Sequence, residues 1–293
     1  MSELIKCNLC GDDACEVIYS STITDKEALV AGHLACTNAG HSSHHNIVRC
    51  KSCGLEYSNP RDSIELLSKF YREVKDDFYN IIVVSRKKAF ERSFPQIEKL
   101  KKGNRLLDVG CYTGVFLEIA RDKGYSVCGI EPSEWASGVG SRKGLDIKNY
   151  GIEDMGKIDS KFDIITMWDA IEHFSDPLGA LELCFDKLNP AGVITITTMR
   201  CEGLFYFLCG RRWPWFMRMH LYYFTFDTLK KMLDKAGFNV VSVRPYTHYI
   251  NLSYILYKVG LRFSSLLNNF ILQRIMLPVQ LGDFMEIYAA KKS

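Results

Sequence analysis

The sequence predicts an α/β fold, a mainly parallel sheet covered by helices on both faces, behind a small cysteine-stapled module. Three observations predict it. From Lys102 onward, short apolar runs alternate with helix-period stretches. The first run ends in the glycine turn Asp108-Val109-Gly110-Cys111-Tyr112-Thr113-Gly114, and two Cys-x-x-Cys pairs stand near the start of the chain. With 293 residues, 47% of them hydrophobic and 24% charged, the chain has enough apolar sequence for a sizeable core, which excludes a disordered chain.

Taken in order, residues 1–60 are rich in Cys, His, Gly, Ser and Asn and lack the apolar period of a self-sufficient core, so they need a staple. Residues 61–100 turn helical, with Ile64, Leu67, Phe70 and Tyr71 on one stripe, then Val84, Ala89 and Phe90 before Pro95; they read as a linker that covers a ligand. Residues 101–293 form the main domain. Its strands are expected at 105–109, 126–130, 145–148, 162–168, 192–198, 240–244 and 284–289. Helices are expected at 114–123, 132–143, 176–188 with Pro177 at the start, and 225–236 closed by Gly237. Two stretches break the alternation, 200–223 and 245–282.

The net charge of +3 is too small to argue for nucleic acid, and Lys6, Arg49, Lys51 and Arg61 make only a thin basic face near the knuckles. The first ten residues hold no apolar stretch before a small-residue cleavage site, so a cytoplasmic location is expected. Eleven cysteines are an odd number, and Cys128 and Cys184 sit in core-like sequence, which suits buried thiols better than a disulfide framework.

The glycine turn carries the chemistry. Asp108, Gly110 and Gly114 fall at the carboxyl end of the first strand, where open α/β sheets bind ligands, and Cys111, Tyr112 and Phe116 belong to the same strand-turn-helix unit. Glu131 and Pro132 close the second strand, where a carboxylate accepts from both ribose hydroxyls. Asp108 precedes the turn; a carboxylate there suits a cofactor with a cationic amino-acid end and would repel a pyrophosphate, which disfavours a dehydrogenase.

These residues resemble the class I S-adenosylmethionine-dependent methyltransferases. The 108–114 turn looks like their first motif, Glu131 like their ribose-binding acid, and Glu153, Asp154 and Met155 like the loop that contacts adenine. The stretch from 162 to Glu172-His173, including Trp168 and Asp169, resembles their fourth-strand motif, and LNPAGVITITT their fifth strand. The resemblance spans roughly 100–244 and 283–291 and implies a Rossmann-like sheet of seven strands, the last antiparallel. One departure stands out: Tyr112 replaces a usual glycine, and a positive φ there would cost about 1 kcal/mol or more.

Cys7-x-x-Cys10 and Cys50-x-x-Cys53 form two knuckles, each followed by a glycine, Gly11 or Gly54. Four thiolates at this spacing select zinc, and a full ligand set makes the metal structural. His33, His41, His44 and His45 lie between the knuckles in a loop-like stretch, suited to a second metal, a polar substrate or a solvated loop. The layout is similar to small-molecule methyltransferases with an N-terminal zinc ribbon, which implies acceptors among sugars or compounds of cell-envelope and secondary-metabolite pathways.

Methyl transfer to a hydroxyl needs a base. His173 is the first candidate, Glu172 its partner or alternative, and His220 the second base or substrate orienter. The aromatic loop around Pro214, with Arg211, Arg212 and Arg218, is expected to form an acceptor pocket that recognises phosphate or carboxylate. The 245–282 insert holds Lys258, Arg262 and Arg274 but no Asp or Glu, and has no run apolar enough to span a bilayer. A lid or homodimer interface and a membrane surface, with a lipid-linked acceptor, both remain open readings. The expected reaction moves a methyl group from S-adenosylmethionine to a hydroxyl of a sugar or polysaccharide precursor. Nitrogen or carbon acceptors, and a zinc-ribbon nucleic-acid adaptor with a non-catalytic cofactor domain, are the alternatives.

Overall fold

The computed structural model describes residues 2–23, 30–37, 43–261 and 268–292; His41, Arg262 and the side chain of His33 lie outside the described residues. The chain begins with β1 (Ser2–Glu3), β2 (Cys15–Tyr19), β3 (Ile47–Cys50), β4 (Glu56–Ser58) and β5 (Arg61–Asp62). Three helices follow: α1 (Ile64–Glu73), α2 (Val83–Glu91) and α3 (Phe94–Leu100), which starts with Pro95 in its first turn.

The alternating region runs β6 (Arg105–Val109), α4 (Val115–Asp122), β7 (Ser126–Ile130), α5 (Glu134–Arg142), β8 (Ile147–Lys148), β9 (Phe162–Trp168), α6 (Pro177–Lys187) and β10 (Leu188–Met199). Local chemistry sets the helix starts. Ser133 Oγ accepts from Ala136 N at 3.1 Å and Asp176 from Gly179 N at 2.9 Å, each satisfying an amide of the first turn. The expected third strand shrinks to two residues. The expected fifth strand lengthens because Leu188 already pairs with Phe162 before Ala191, at φ 60, shifts the register.

The remaining elements are α7 (Leu204–Cys209), β11 (Tyr222–Tyr223), α8 (Phe226–Lys235), β12 (Phe238–Pro245), β13 (His248–Asn251), α9 (Leu252–Lys258), α10 (Phe270–Arg274), β14 (Met276–Val279) and β15 (Phe284–Lys291). The main sheet has the order β12-β15-β10-β9-β6-β7-β8, with β15 antiparallel to both neighbours. The parallel strands run outward in opposite directions from the adjacent pair β6 and β9, through β7 and β8 on one side and β10 on the other, and the crevice at the carboxyl ends of that pair is where such sheets bind ligands.

The cysteine-rich front does not close its own sheet. β2, β3 and β4 are joined by β11, which follows the aromatic loop of the main domain, Tyr222 pairing with Tyr57. One buried cluster runs from Cys7, Leu9 and Tyr57 through Leu221 and Tyr222 to Ile171 and Leu107, so front and main regions share a core.

Candidate active site

A cavity of about 800 Å³ lies over the carboxyl ends of β6, β7 and β9. Its first half is the glycine turn. Gly110 and Cys111 donate to Ile130 O at 2.9 and 3.1 Å, tying the turn to β7. Tyr112 adopts φ 50, the strained conformation anticipated from its departure from glycine, and Gly114 takes φ 75 at the start of α4. Glu131 holds this geometry: Oε2 accepts from Tyr112 N and Oε1 from Ser133 N, both at 2.9 Å. Each oxygen keeps a second lone pair for a ligand. Burial raises the Glu131 carboxyl to about 7, against the pull of those two amides. The Tyr112 ring lies between Tyr79 and Trp135, at 4.6 and 5.8 Å.

Asp108 is buried, accepts from Thr166 Oγ1 at 2.7 Å and is pushed up by burial to about 8. Gly110, Cys111, Tyr112, Phe116, Glu131, Pro132, Glu153, Asp154, Trp168 and Asp169 all line the cavity with it. Gly114 and Met155 do not. A Cβ on Gly114 would collide with Leu145, so this glycine serves helix packing, and Met155 is fully buried in the core.

The second half gathers the three proposed catalytic groups. Ligand atoms of Glu172, His173 and His220 lie within 4.8 Å of one another, and the two imidazole centroids are 4.8 Å apart. His173 Nδ1 sits 2.9 Å from Met219 O and 3.0 Å from Tyr71 Oη. A carbonyl has no proton to give, so Nδ1 carries the hydrogen and Nε2 the lone pair. His220 Nδ1 likewise bonds Trp215 O, at 2.8 Å. Burial lowers the His173 pKa, keeping the ring neutral. Glu172 accepts from Thr198 Oγ1 at 2.9 Å and is raised to about 8 by burial, with the charge of Asp169 adding to it.

Several lining residues carried no signal in the sequence. The sequence places Tyr71 on an apolar stripe of the ligand-covering linker, with no sign that its hydroxyl meets His173. Arg86, in the unremarkable stretch VVSRKKAF, reaches Asp169 Oδ2 at 3.4 Å, stacks on Phe90 and has a buried Nε without a partner among the described residues. Tyr246, His248 and Tyr254, from the insert, wall the same space. The insert is therefore a wall of the cavity, and Asn251 Nδ2 fastens it to Ile81 O.

The basic acceptor pocket is a correction. Arg211 and Arg212 are exposed, and Arg218 makes two 2.7 Å bonds to Asp62; none of the three lines the cavity. Trp213 and Phe216 turn inward and pack with Tyr206 and Tyr223, which leaves Trp215, Met217, Met219, His220 and Leu221 facing the space. His44 bonds its neighbour's carbonyl and packs on Phe216, while His45 bonds Asp62 at 3.0 Å, so both serve the front module. Arg49 pairs with Glu56 and Arg61 with Glu3, at 2.7 and 2.8 Å, which neutralises half of the thin basic face.

At the front, Cys7, Cys10, Cys50 and Cys53 place their sulfurs within 4.8 Å of one another, with Gly11 and Gly54 at φ 80 and 81. The closest pairs, Cys7 with Cys53 at 3.4 Å and Cys10 with Cys50 at 3.5 Å, are too long for disulfides and close to the edge, about 3.8 Å, of a tetrahedron with zinc–sulfur arms of about 2.3 Å. The donor set fits one tetrahedral soft metal ion.

A sequence profile described as a methyltransferase domain matches residues 62–243, from β5 to β12. The chain belongs to this methyltransferase family. The methyltransferase domain is 28% identical over 153 residues to a ubiquinone biosynthesis O-methyltransferase of Cereibacter sphaeroides, covering 48% of this chain and 62% of that protein. It is 35% identical over 108 residues to the enzyme of that name from Actinobacillus pleuropneumoniae, covering 33% of this chain and 46% of the other. These matches span between about half and three fifths of the curated relatives' lengths. Among solved structures, a SAM-dependent methyltransferase from Archaeoglobus fulgidus superposes with a TM-score of 0.51 at 21% identity, over 74% of this chain and 100% of that one. A likeness at that identity establishes the fold: a Rossmann-like class I methyltransferase sheet.

Proposed function

We propose that the chain transfers a methyl group from S-adenosylmethionine to a hydroxyl of a small-molecule acceptor. The observation that carries this reading is the continuity of one cavity, from the Asp108, Tyr112 and Glu131 turn to the Glu172, His173 and His220 cluster. When bound, S-adenosylmethionine supplies a methyl group activated by a sulfonium centre. Glu131 accepts from the ribose hydroxyls with the lone pairs its two amides leave over. Asp108, raised by burial, ionises when a cation enters beside it, and Arg86 offers its unpartnered Nε to the cofactor's carboxylate. Glu153 and Asp154 flank the adenine end, and Trp168 and Phe116 close the floor.

His173 Nε2 takes the proton of the acceptor hydroxyl. The Met219 carbonyl fixes its tautomer, and the charge of Asp169 supports the imidazolium that forms. His220 orients the acceptor from the opposite loop. The acceptor is a hydroxyl of a sugar or polysaccharide precursor, a reading supported by the layout of a cysteine-rich module before the methyltransferase domain. Trp215, Met217, Met219 and Tyr254 support a second reading, a hydroxyl on an aromatic body, as do the relatives named for ubiquinone biosynthesis. The four cysteines hold one structural zinc.

Calorimetry with S-adenosylhomocysteine tests the cofactor assignment, and absence of binding by folded, zinc-loaded protein overturns it. Release of S-adenosylhomocysteine with sugar and phenol panels then distinguishes the two acceptor readings.

A further inference from the structure

The insert that walls the cavity and the neighbouring α7 carry an outward face that the chemistry does not use. In α7, Leu204, Phe207 and Leu208 are 71, 67 and 75% exposed, and two exposed arginines, Arg211 and Arg212, follow directly. In the insert, Phe270 and Ile271, on the helix between the two hairpin strands, are 62 and 67% exposed, and Ile275, Leu277 and Leu281 are each about half exposed. The two stretches adjoin: Gly203, which opens α7, abuts Gly282 so closely that a Cβ would overlap its carbonyl. Leu281, Val279 and Lys258 also line the cavity, so this apolar edge borders its mouth.

The charge on this edge has one sign. Residues 203–218 and 245–282 contain arginine and lysine but no Asp or Glu. The acids at their boundaries are engaged, Glu202 with Arg200 at 2.7 Å and Asp283 with Trp215 Nε1 at 2.6 Å. Arg274 lies over the exposed Phe270 ring, 4.0 Å from its centroid. Large exposed apolar side chains with only cationic companions fit an acyl-chain boundary under anionic headgroups. A second copy fits worse, because a two-fold contact sets the same arginines against themselves with no acid to answer them.

We propose that this edge, α7 with the 270–281 segment, docks on an anionic lipid surface and turns the cavity mouth toward the bilayer. An acceptor with an apolar tail then reaches the site without crossing water. Docking does not depend on which atom is methylated, so its test is independent of the methyl-transfer reading.

The test is flotation of the full chain with phosphatidylcholine vesicles, with and without phosphatidylglycerol, and size-exclusion chromatography alongside. The chain is expected to float with phosphatidylglycerol vesicles only, and to be released by salt. Arg211→Gln with Arg212→Gln weakens binding about thirtyfold, and Leu204→Glu with Phe207→Glu abolishes it, with melting temperatures held near that of the parent. None of these residues lines the cavity. If the second pair misfolds, Phe270→Glu with Ile271→Glu makes the same test on the other stretch. No flotation of the intact chain overturns the proposal, as does equal binding to neutral vesicles, unchanged binding by folded variants, or a dimer that the same substitutions dissolve.

Discussion

Glu131→Gln separates two effects that one carboxylate combines. The side chain keeps its shape but loses its charge. Burial raises the Glu131 pKa from 4.5 to about 7, a difference worth about 3 kcal/mol. The sign follows from linkage. A group whose folded pKa is raised contributes stability that is present below its unfolded pKa and lost as the pH climbs through the folded one. The parent protein therefore gives up about 3 kcal/mol between roughly pH 4.5 and pH 7 through this residue, while glutamine, which does not titrate, gives up none. The stability of Glu131→Gln relative to the parent should rise by that amount across the window. Affinity for S-adenosylhomocysteine should move the other way. At pH 8 the substitution removes one charged acceptor from the ribose, worth about 1.5–3 kcal/mol, so binding weakens about tenfold to about a hundredfold. Denaturant melts at pH 5 and pH 8, with calorimetry on the same samples, read both effects. A stability difference that stays flat from pH 5 to pH 8, or unchanged affinity, refutes the reasoning.

His173→Gln should lower kcat by about 10²- to 10⁴-fold and leave S-adenosylhomocysteine affinity unchanged. Because burial lowers the His173 pKa, the parent's kcat should fall only below the ordinary histidine range in a pH series. Asp62→Asn removes the buried carboxylate that pairs with Arg218 and should cost about 3 kcal/mol by urea unfolding at pH 7. Against burial, Arg218 and His45 hold the Asp62 carboxyl well below its usual range, so that contribution is full above pH ~4 and shrinks as the pH falls below it. Elemental analysis should find one zinc per chain, retained on dialysis, and Cys50→Ser should abolish retention and lower the melting temperature.

The strand-turn-helix unit was legible because its constraints are local. Gly110 and Gly114 need positive φ, Pro177 and Asp176 start a helix, and the apolar run at 162–168 has the length of a central strand. The count of seven strands with the last one antiparallel followed from the family resemblance, while their order came from the structure. What stayed hidden depends on long-range packing. Nothing in RRWPWFMR says that Trp213 and Phe216 turn inward while Arg211 and Arg212 turn out; that is decided by Tyr206 and Tyr223, which supply the partners. Arg86 was invisible for the same reason, since a single arginine in a helix reads as a solvated face until Asp169 and Phe90 appear beside it.

The cysteine module bears on the chemistry through the backbone it holds. β4 receives β11, and Ser58 bonds both Leu221 O, through its amide at 2.9 Å, and His220 O, through its hydroxyl at 3.2 Å. Asn8, between the first two cysteines, donates to Asp176 Oδ1 at 2.8 Å and accepts from Leu178 N at 2.9 Å, while Arg61 donates to Ser175 O at 2.8 Å. These bonds grip the two segments that carry His173 and His220. Leu221 N closes the pair by donating to Glu172 O at 2.8 Å. The backbone of the glycine turn, in contrast, is fastened to β7 and to Glu131. The front module therefore braces the two histidine-bearing segments through hydrogen bonds to their backbone.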